Sequence, residues 1–185
     1  MTYYRFQNIV KESMGVLILC SLIAVFTGQL LYFMQDQFIA IPIFLVFVPV
    51  INGLGGNLGS IFGARITSAL HLGSITALSD KELHKNVGMS LFLGVAVYGV
   101  LAIIIYVVAP FLHLEINIDA MNFLLIFILS GVILTIGVMC IILVTAFLSF
   151  KQGIDPDNTV IPVVTTLGDS LGIMSLLSMI WVIGI

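Results

Sequence analysis

Apolar side chains fall in five long runs along this chain, near Ser13–Met34, Ile41–Leu70, Val87–Val108, Ala120–Phe150 and Val160–Ile185, and polar ones crowd into the gaps. A helix needs about 20 apolar residues to cross the hydrocarbon of a bilayer, so each run is long enough to span one. The runs are continuously apolar rather than alternating, which predicts helices and not the strands of a barrel. The second and fourth runs exceed the required length and are expected to tilt, kink or extend past the membrane. The expected fold is an all-α membrane protein of five transmembrane helices, a single integral-membrane domain over residues 1–185.

Composition agrees with this pattern: 61% of the 185 residues are apolar and 8% charged, against about a quarter charged in soluble domains. The six basic residues then orient the spans. Arg5 and Lys11 precede the first run, Arg65 closes the second, Lys81 and Lys85 follow in "SDKELHKN", and Lys151 follows the fourth. The other two connectors, "QDQFIA" and "PFLHLEINID", hold no Lys or Arg. Basic residues concentrate on the cytoplasmic side, which predicts a cytoplasmic N-terminus and an outer C-terminus for a multi-pass protein of the cell membrane, with lipid as its surroundings. The first run is too long for a signal-peptide core and lacks a small-residue cleavage site, so it reads as a retained span. Cys20 and Cys140 both lie inside apolar runs and read as packing residues rather than a disulfide or thiolate site. No soluble regulatory domain remains once the spans are counted. The net charge of −3 points to no partner, and no nucleic acid is expected.

Eight of the nine acids, Glu12, Asp36, Asp80, Glu82, Glu115, Asp119, Asp155 and Asp157, lie in gaps or at run ends. Asp169 does not. It is nine residues beyond Val160, about 14 Å along a helix and close to the bilayer midplane. A carboxylate there costs about 2.5–3.5 kcal/mol on the insertion scale, so it should face a polar cavity and mark a functional site. Thr165 and Thr166 lie one turn before it, Pro162 two turns before and Gly172 one turn after, which makes one stripe of the helix small and polar. A protonated Asp bonded to a neighbouring helix is the structural alternative. Upstream, "KQGIDPDNTVIP" sets Asp155, Asp157 and Asn158 around Pro156. Asp157 or Asn158 can cap a helix start, and the same oxygens can draw divalent cations to a pore mouth; both readings stand.

The segment "NGLGGNLGSIFGAR" interrupts the second run. Gly55, Gly59 and Gly63 recur every four residues beside Ser60, Ala64 and Thr67, a spacing that lets membrane helices approach closely. Gly55, Gly56 and Asn57 have little helix preference and follow Pro49, which removes one helical hydrogen bond; the helix is expected to break or kink there, freeing carbonyls as cation ligands. Asn57 is expected either to accept from an ion's water or to orient Asp169. Arg65, about 12 Å further toward the cytosol, reads as a snorkelling anchor or as the partner of a loop acid.

Together, "PVINGLGGNLGSIFGARITSALHLG" and "GIDPDNTVIPVVTTLGDSLG" resemble the integral-membrane domain of the MgtE and solute-carrier-41 superfamily of magnesium transporters and channels, archaeal single-unit members above all. The resemblance implies a five-helix domain that forms a homodimer, an ion path on the two-fold axis, and a fifth-helix aspartate from each subunit binding hydrated Mg2+. Asp169 matches that aspartate. Gly55, Gly56 and Asn57 match the family's Gly-Gly-Asn element, and Asp155 to Asn158 its Asp-Pro-Asp-Asn element. Mg2+ prefers octahedral oxygen coordination and sheds water reluctantly, so a symmetric pair of carboxylates holding a hydrated ion is sufficient. Mn2+, Co2+ and Zn2+ are alternative ions. Two departures limit what carries over. Bacterial relatives bear acidic and CBS regulatory domains before the membrane part, where this chain has about a dozen residues, and many carry a glutamine soon after Gly-Gly-Asn, where this chain reads Ser60-Ile61.

Other classes fit less well. An aspartyl intramembrane protease needs two membrane aspartates, and a serine protease needs a base near its nucleophile, whereas His71, His84 and His113 all lie at run ends or in gaps. No enzyme activity is expected. These histidines converge on no metal spacing, and Glu115 with Asp119 reads either as a cation-gathering loop or as a solvated one. The remaining alternative is a non-transporting membrane subunit or regulator that needs a partner chain.

Overall fold

The computed structural model describes residues 6–40, 42–114, 116 and 118–184, with backbone alone for 6–9, 11, 12, 37 and 40. Arg5, Glu115, the expected span limits Ile41 and Ile185, and the side chains of Lys11 and Glu12 lie outside the described residues. Among the described residues six α-helices follow in order: α1 (Phe6–Phe33), α2 (Gln35–Ala40), α3 (Ile43–His71), α4 (Lys81–Val108), α5 (Ala120–Lys151) and α6 (Pro156–Ile183). A 3-10 turn, Ala109–Leu112, closes α4, and among the described residues there is no strand. Five of the helices, all but α2, are long and apolar enough to cross a membrane.

Four features differ from expectation. The connector "QDQFIA" forms α2, and "SDKELHKN" is helical from Lys81, so α4 begins six residues before Val87. Asp80 stands at the N-cap of α4 but turns its carboxylate back to accept from the Thr76 and Ala77 N–H groups at 2.6 and 2.9 Å. α6 begins at Pro156 rather than Val160, and its cap is Asp155, which accepts from Asp157 N–H at 3.0 Å. Finally, α3 is helical without interruption through Gly55, Gly56 and Asn57. The expected break is absent because a helix in lipid must satisfy its own backbone, and because the glycines are held between two neighbours.

Those contacts build the core. α5 packs against α3, α4 and α6, while α1 lies chiefly along α6 with most of its length exposed. α3 seats in the groove between α5 and α6: a Cβ at Gly55 would meet Leu134 Cδ2 at 2.6 Å, one at Gly59 would meet Val138 at 2.7 Å and Val164 at 3.2 Å, and one at Gly63 would meet Val160 at 3.0 Å. The partners climb α5 in the same sense as α3 and α6 in the opposite sense, so α3 runs parallel to α5 and antiparallel to α6. On the other side of α5, Gly131 takes the Tyr98 ring against its backbone, and Tyr98 OH donates to Ile51 O at 3.4 Å. Phe47 stacks edge-on against Phe123 and Phe127 with centroids 5.0 and 4.8 Å apart. Buried hydroxyls are satisfied locally: Ser149 and Thr159 bond each other at 2.7 Å, and Thr135 donates to Gly131 O at 2.8 Å.

The tight turn between α5 and α6 depends on Gly153, whose φ of 70° lies in the left-handed region. His71 of α3 meets Phe150 of α5, so the C-terminal ends of both helices share one end of the bundle. Arg65, Lys81, Lys85 and Lys151 all belong to that end, called the basic end below.

Two outcomes follow from these contacts. Gly131→Ala drives a methyl into the fully buried Tyr98 ring and should cost about 1–3 kcal/mol as overpacking, lowering the melting temperature in detergent, whereas Gly99→Ala, which meets nothing within 4 Å, should not. The two backbone donors hold the Asp80 carboxyl below its ordinary value of 3.8. The anchoring is therefore complete above pH 3.8 and is lost as pH falls through the lowered value. Hydrogen exchange should find the Thr76 and Ala77 amides protected at neutral pH and released only on acidification, with Asp80→Ala abolishing the protection throughout.

Candidate functional site

Asp169 stands at the midpoint of α6, a helix of 28 residues. Successive residues turn about 100° around a helix, and the contacts of α6 fix which way each one points. Thr165 and Gly172 lie against α3, at Gly56 and Asn52 respectively. Leu171 packs on Gly137 of α5, and Gly168 on Val138. Ser170 hydrogen-bonds Thr27 of α1 through their hydroxyls. Asp169 falls between the α1 and α3 contact lines and is exposed on that open side of the bundle. Among the described residues no hydrogen bond or ion pair reaches its carboxylate.

The face around Asp169 changes character along α6. Toward the basic end it is open and polar: Asn158, Pro162, Thr165 and Thr166 are all partly exposed. Thr165 donates to Ile161 O at 3.0 Å and Thr166 to Pro162 O at 2.9 Å. Each hydroxyl keeps its lone pairs, so both can still accept from water. Away from the basic end the same face closes, with Gly172, Ile173, Leu176 and Ile180 buried. Asp169 thus sits where an open polar stripe meets a closed apolar one.

The remaining expected residues separate into groups. Gly56 faces Thr165, with 3.7 Å from a Cβ there to Thr165 Cγ2, and lies beside the site. Gly55 does not: it turns to Leu134 of α5 and serves packing. Because α3 is unbroken, neither glycine frees a carbonyl, and Gly56 O in addition accepts from Ser60 Oγ at 2.8 Å. Asn57 is exposed on α3, turned away from the core. The Gly56–Thr165 and Asn52–Gly172 pairs place it about one helical turn nearer the basic end than Asp169, and no hydrogen bond joins the two. Asp155, Asp157 and Asn158 form a separate group at the start of α6, about 17–21 Å from Asp169 by helical rise. Arg65 lines a groove with Ser68, Ser74, Glu82 and Asn86 between α3 and α4, apart from Asp169. Among the described residues no three His, Cys, Asp or Glu side chains gather to hold a metal ion.

One residue was not anticipated. Asn52 opens the glycine-rich segment, and its Oδ1 is buried without a hydrogen-bond partner, pressed on Gly172. The signal in the sequence was the amide itself, inside an apolar run four residues before Gly56.

A family profile described as MgtE, divalent cation transporter, matches residues 48–179, which include Asn52 to Asn57, Asp155 to Asn158 and Asp169. Solute carrier family 41 member 3 of Mus musculus is 30% identical over 141 residues, covering 69% of this chain and 29% of that protein. The Rattus norvegicus member 3 is 29% identical over 182 residues, 90% of this chain and 38% of that protein. Member 2 of Homo sapiens is 31% identical over 156 residues, 76% of this chain and 27% of that protein. The chain therefore spans between about a quarter and two fifths of the length of these relatives. No solved structure matches it.

The hydroxyl pair that ties α1 to α6 beside Asp169 is directly testable. Thr27→Val and Ser170→Ala should each lower the unfolding free energy by about 0.5–1.5 kcal/mol. The double variant should cost less than their sum, a coupling that a mutant cycle in detergent measures.

Proposed function

The chain belongs to the MgtE divalent cation transporter family, and from that membership we propose that it carries a divalent cation, Mg2+ first, across the membrane between two copies that face each other at Asp169. A single observation carries the reading: an ionisable side chain halfway along a membrane helix, exposed on the open side of the bundle and met by no partner among the described residues. Against lipid that carboxylate is held at a cost of about 2.5–3.5 kcal/mol. Against a second copy it gains a wet, polar surrounding and a symmetry mate. Two-fold pairing is also the commonest way for identical chains to associate.

In this arrangement the basic end is cytoplasmic. The oxygens of Asp157 and Asn158 gather cations at the mouth, and the stripe formed by Thr165, Thr166, Gly56 and Asn57 leads to Asp169. The ion keeps most of its waters, since Mg2+ dehydrates reluctantly, so the residues act through acceptors placed at hydrogen-bond range outside the water shell rather than through a closed cage. Two carboxylates balance a divalent charge, whereas one balances half of it. That difference favours divalent over monovalent ions before any contact with the metal is made.

Reconstituted in liposomes with a Mg2+-sensitive dye inside, the wild-type chain should admit the ion, and Asp169→Ala should reduce influx to the level of empty vesicles. Asp169→Asn should do nearly as badly, since it keeps the shape and loses the charge. Retained flux in both variants rejects the site. A wild-type chain that binds and passes no divalent cation would favour a subunit that works only with a partner chain.

A further inference from the structure

We propose that Asn52 is a second contact for the water shell of the transported cation, one helical turn beyond Asp169 on the side away from the basic end, and that Gly172 sets its position. The inference rests on the transport reading given above and adds to it a residue and a role. Asn52 projects from α3 onto α6, and Gly172 makes the seat possible: a Cβ at Gly172 would coincide with Asn52 Oδ1 and lie 3.1 Å from Asn52 Cγ and 3.5 Å from Ile51 Cγ2. The oxygen is buried and accepts no hydrogen bond, although the residue as a whole keeps part of its surface open.

An amide oxygen without a donor is costly anywhere inside a protein and more so at membrane depth. The hydroxyls around it are directed elsewhere. Tyr98 donates to Ile51 O, Ser175 donates to Gly172 O at 2.9 Å, Ser130 donates to Ser175 O at 3.3 Å, and Thr135 donates to Gly131 O. The protein thus holds an acceptor at the edge of the ion-facing stripe, and the described residues supply no donor to it.

Water bound to a cation is the complementary group, because its lone pair is committed to the metal and both of its hydrogens point outward. The geometry is suitable. Gly172 is three residues beyond Asp169, a rise of about 4.5 Å, and Asn52 reaches α6 from the side. Around an octahedral ion with metal–oxygen distances of about 2.1 Å, acceptors bonded to the waters stand about 4–5 Å from the metal, so groups on two neighbouring helices can each reach a water of one shell. The proposal requires the amide to rotate about χ2, so that its oxygen leaves Gly172 for the partly exposed side of the residue. An arriving hydrated ion then relieves an oxygen that the empty chain leaves unsatisfied. Since the amide is neutral, it adds orientation and affinity for the shell without adding a charge that would retain the ion.

Flux in the same proteoliposomes, measured across a Mg2+ concentration series, tests this. Asn52→Leu should raise the half-saturating concentration about tenfold while leaving the melting temperature unchanged or higher, because it removes an unsatisfied polar group. A residue with a merely structural role would not give that opposition. Asn52→Asp, of the same size, should lower the half-saturating concentration and slow the maximal rate. Asp169-dependent flux in the wild type with half-saturation unmoved in Asn52→Leu and Asn52→Asp overturns this inference alone; a wild type without flux overturns it together with the transport reading. Should Asn52→Leu fail to fold, Asn52→Asp decides, an unmoved half-saturation counting against the proposal.

Discussion

The seating of α3 in the groove between α5 and α6 is the contact on which the remaining geometry depends. Lipid offers helices little hydrophobic reason to associate, so close backbone approach through small residues has to supply the attraction. Gly55, Gly59 and Gly63 do so by admitting Leu134, Val138, Val164 and Val160 where side chains of their own would collide. Once those three positions face inward, rotation about the α3 axis is no longer free. Asn57 lies two residues from both Gly55 and Gly59, about 200° around the helix, so it must point away from the core. α6 obeys the same arithmetic: with Val164 and Gly168 inward, Asp169 is turned out. The outward placement of the two polar side chains is therefore a consequence of packing, and no separate device is needed to explain it.

That consequence creates an energetic demand which one chain leaves unmet. The bundle has the means to satisfy polar groups in its interior: Ser149 with Thr159, and Ser130 with the backbone of Ser175, are both paired across α5 and α6. Asp169 receives no such treatment. On one side of it Ser170 is occupied with Thr27, and on the other Thr165 returns its hydroxyl to the helix backbone. A carboxylate left bare beside groups already engaged fits a partner from outside the chain, which in the proposed arrangement is a cation held with a second copy.

How much of this was legible in the sequence depends on the length over which each signal is summed. Spans are read from about 20 residues at once, so all five were found and only their ends moved. Lys81 to Asn86 read as a loop because charged residues were assigned to the gaps, yet a helix that leaves the membrane has no reason to stop at the interface. The position of Asp169 midway along a membrane helix was legible from a single residue, because a charge in an apolar run is so costly. The break at Gly55 to Asn57 was misjudged for the opposite reason. Low helix propensity is worth about 1 kcal/mol per glycine, and unsatisfied backbone groups in lipid cost several each, so the helix continues and the glycines are used for contact. Asn52 went unnoticed since its meaning lies in its register against Gly172, a position far along the chain that no local pattern connects to it.

The balance of charged and neutral oxygens bears on how such a site can work at all. Conduction requires an ion to be held strongly enough to enter and weakly enough to leave. In the proposed passage, carboxylates from α6 would attract a divalent ion through charge, and adding more of them would deepen the well until release became slow. Hydroxyls and amides act differently: they reward a particular arrangement of bound waters and contribute almost nothing to a bare charge at a distance. The exposed stripe beside Asp169 holds Thr165, Thr166, Asn57 and the edge of Asn52, all neutral acceptors, against one acid per chain. Under the proposed transport reading, attraction and discrimination fall to different groups, and the size and rigidity of the water shell, in which Mg2+ differs most from other common cations, would be the property that such a passage reads.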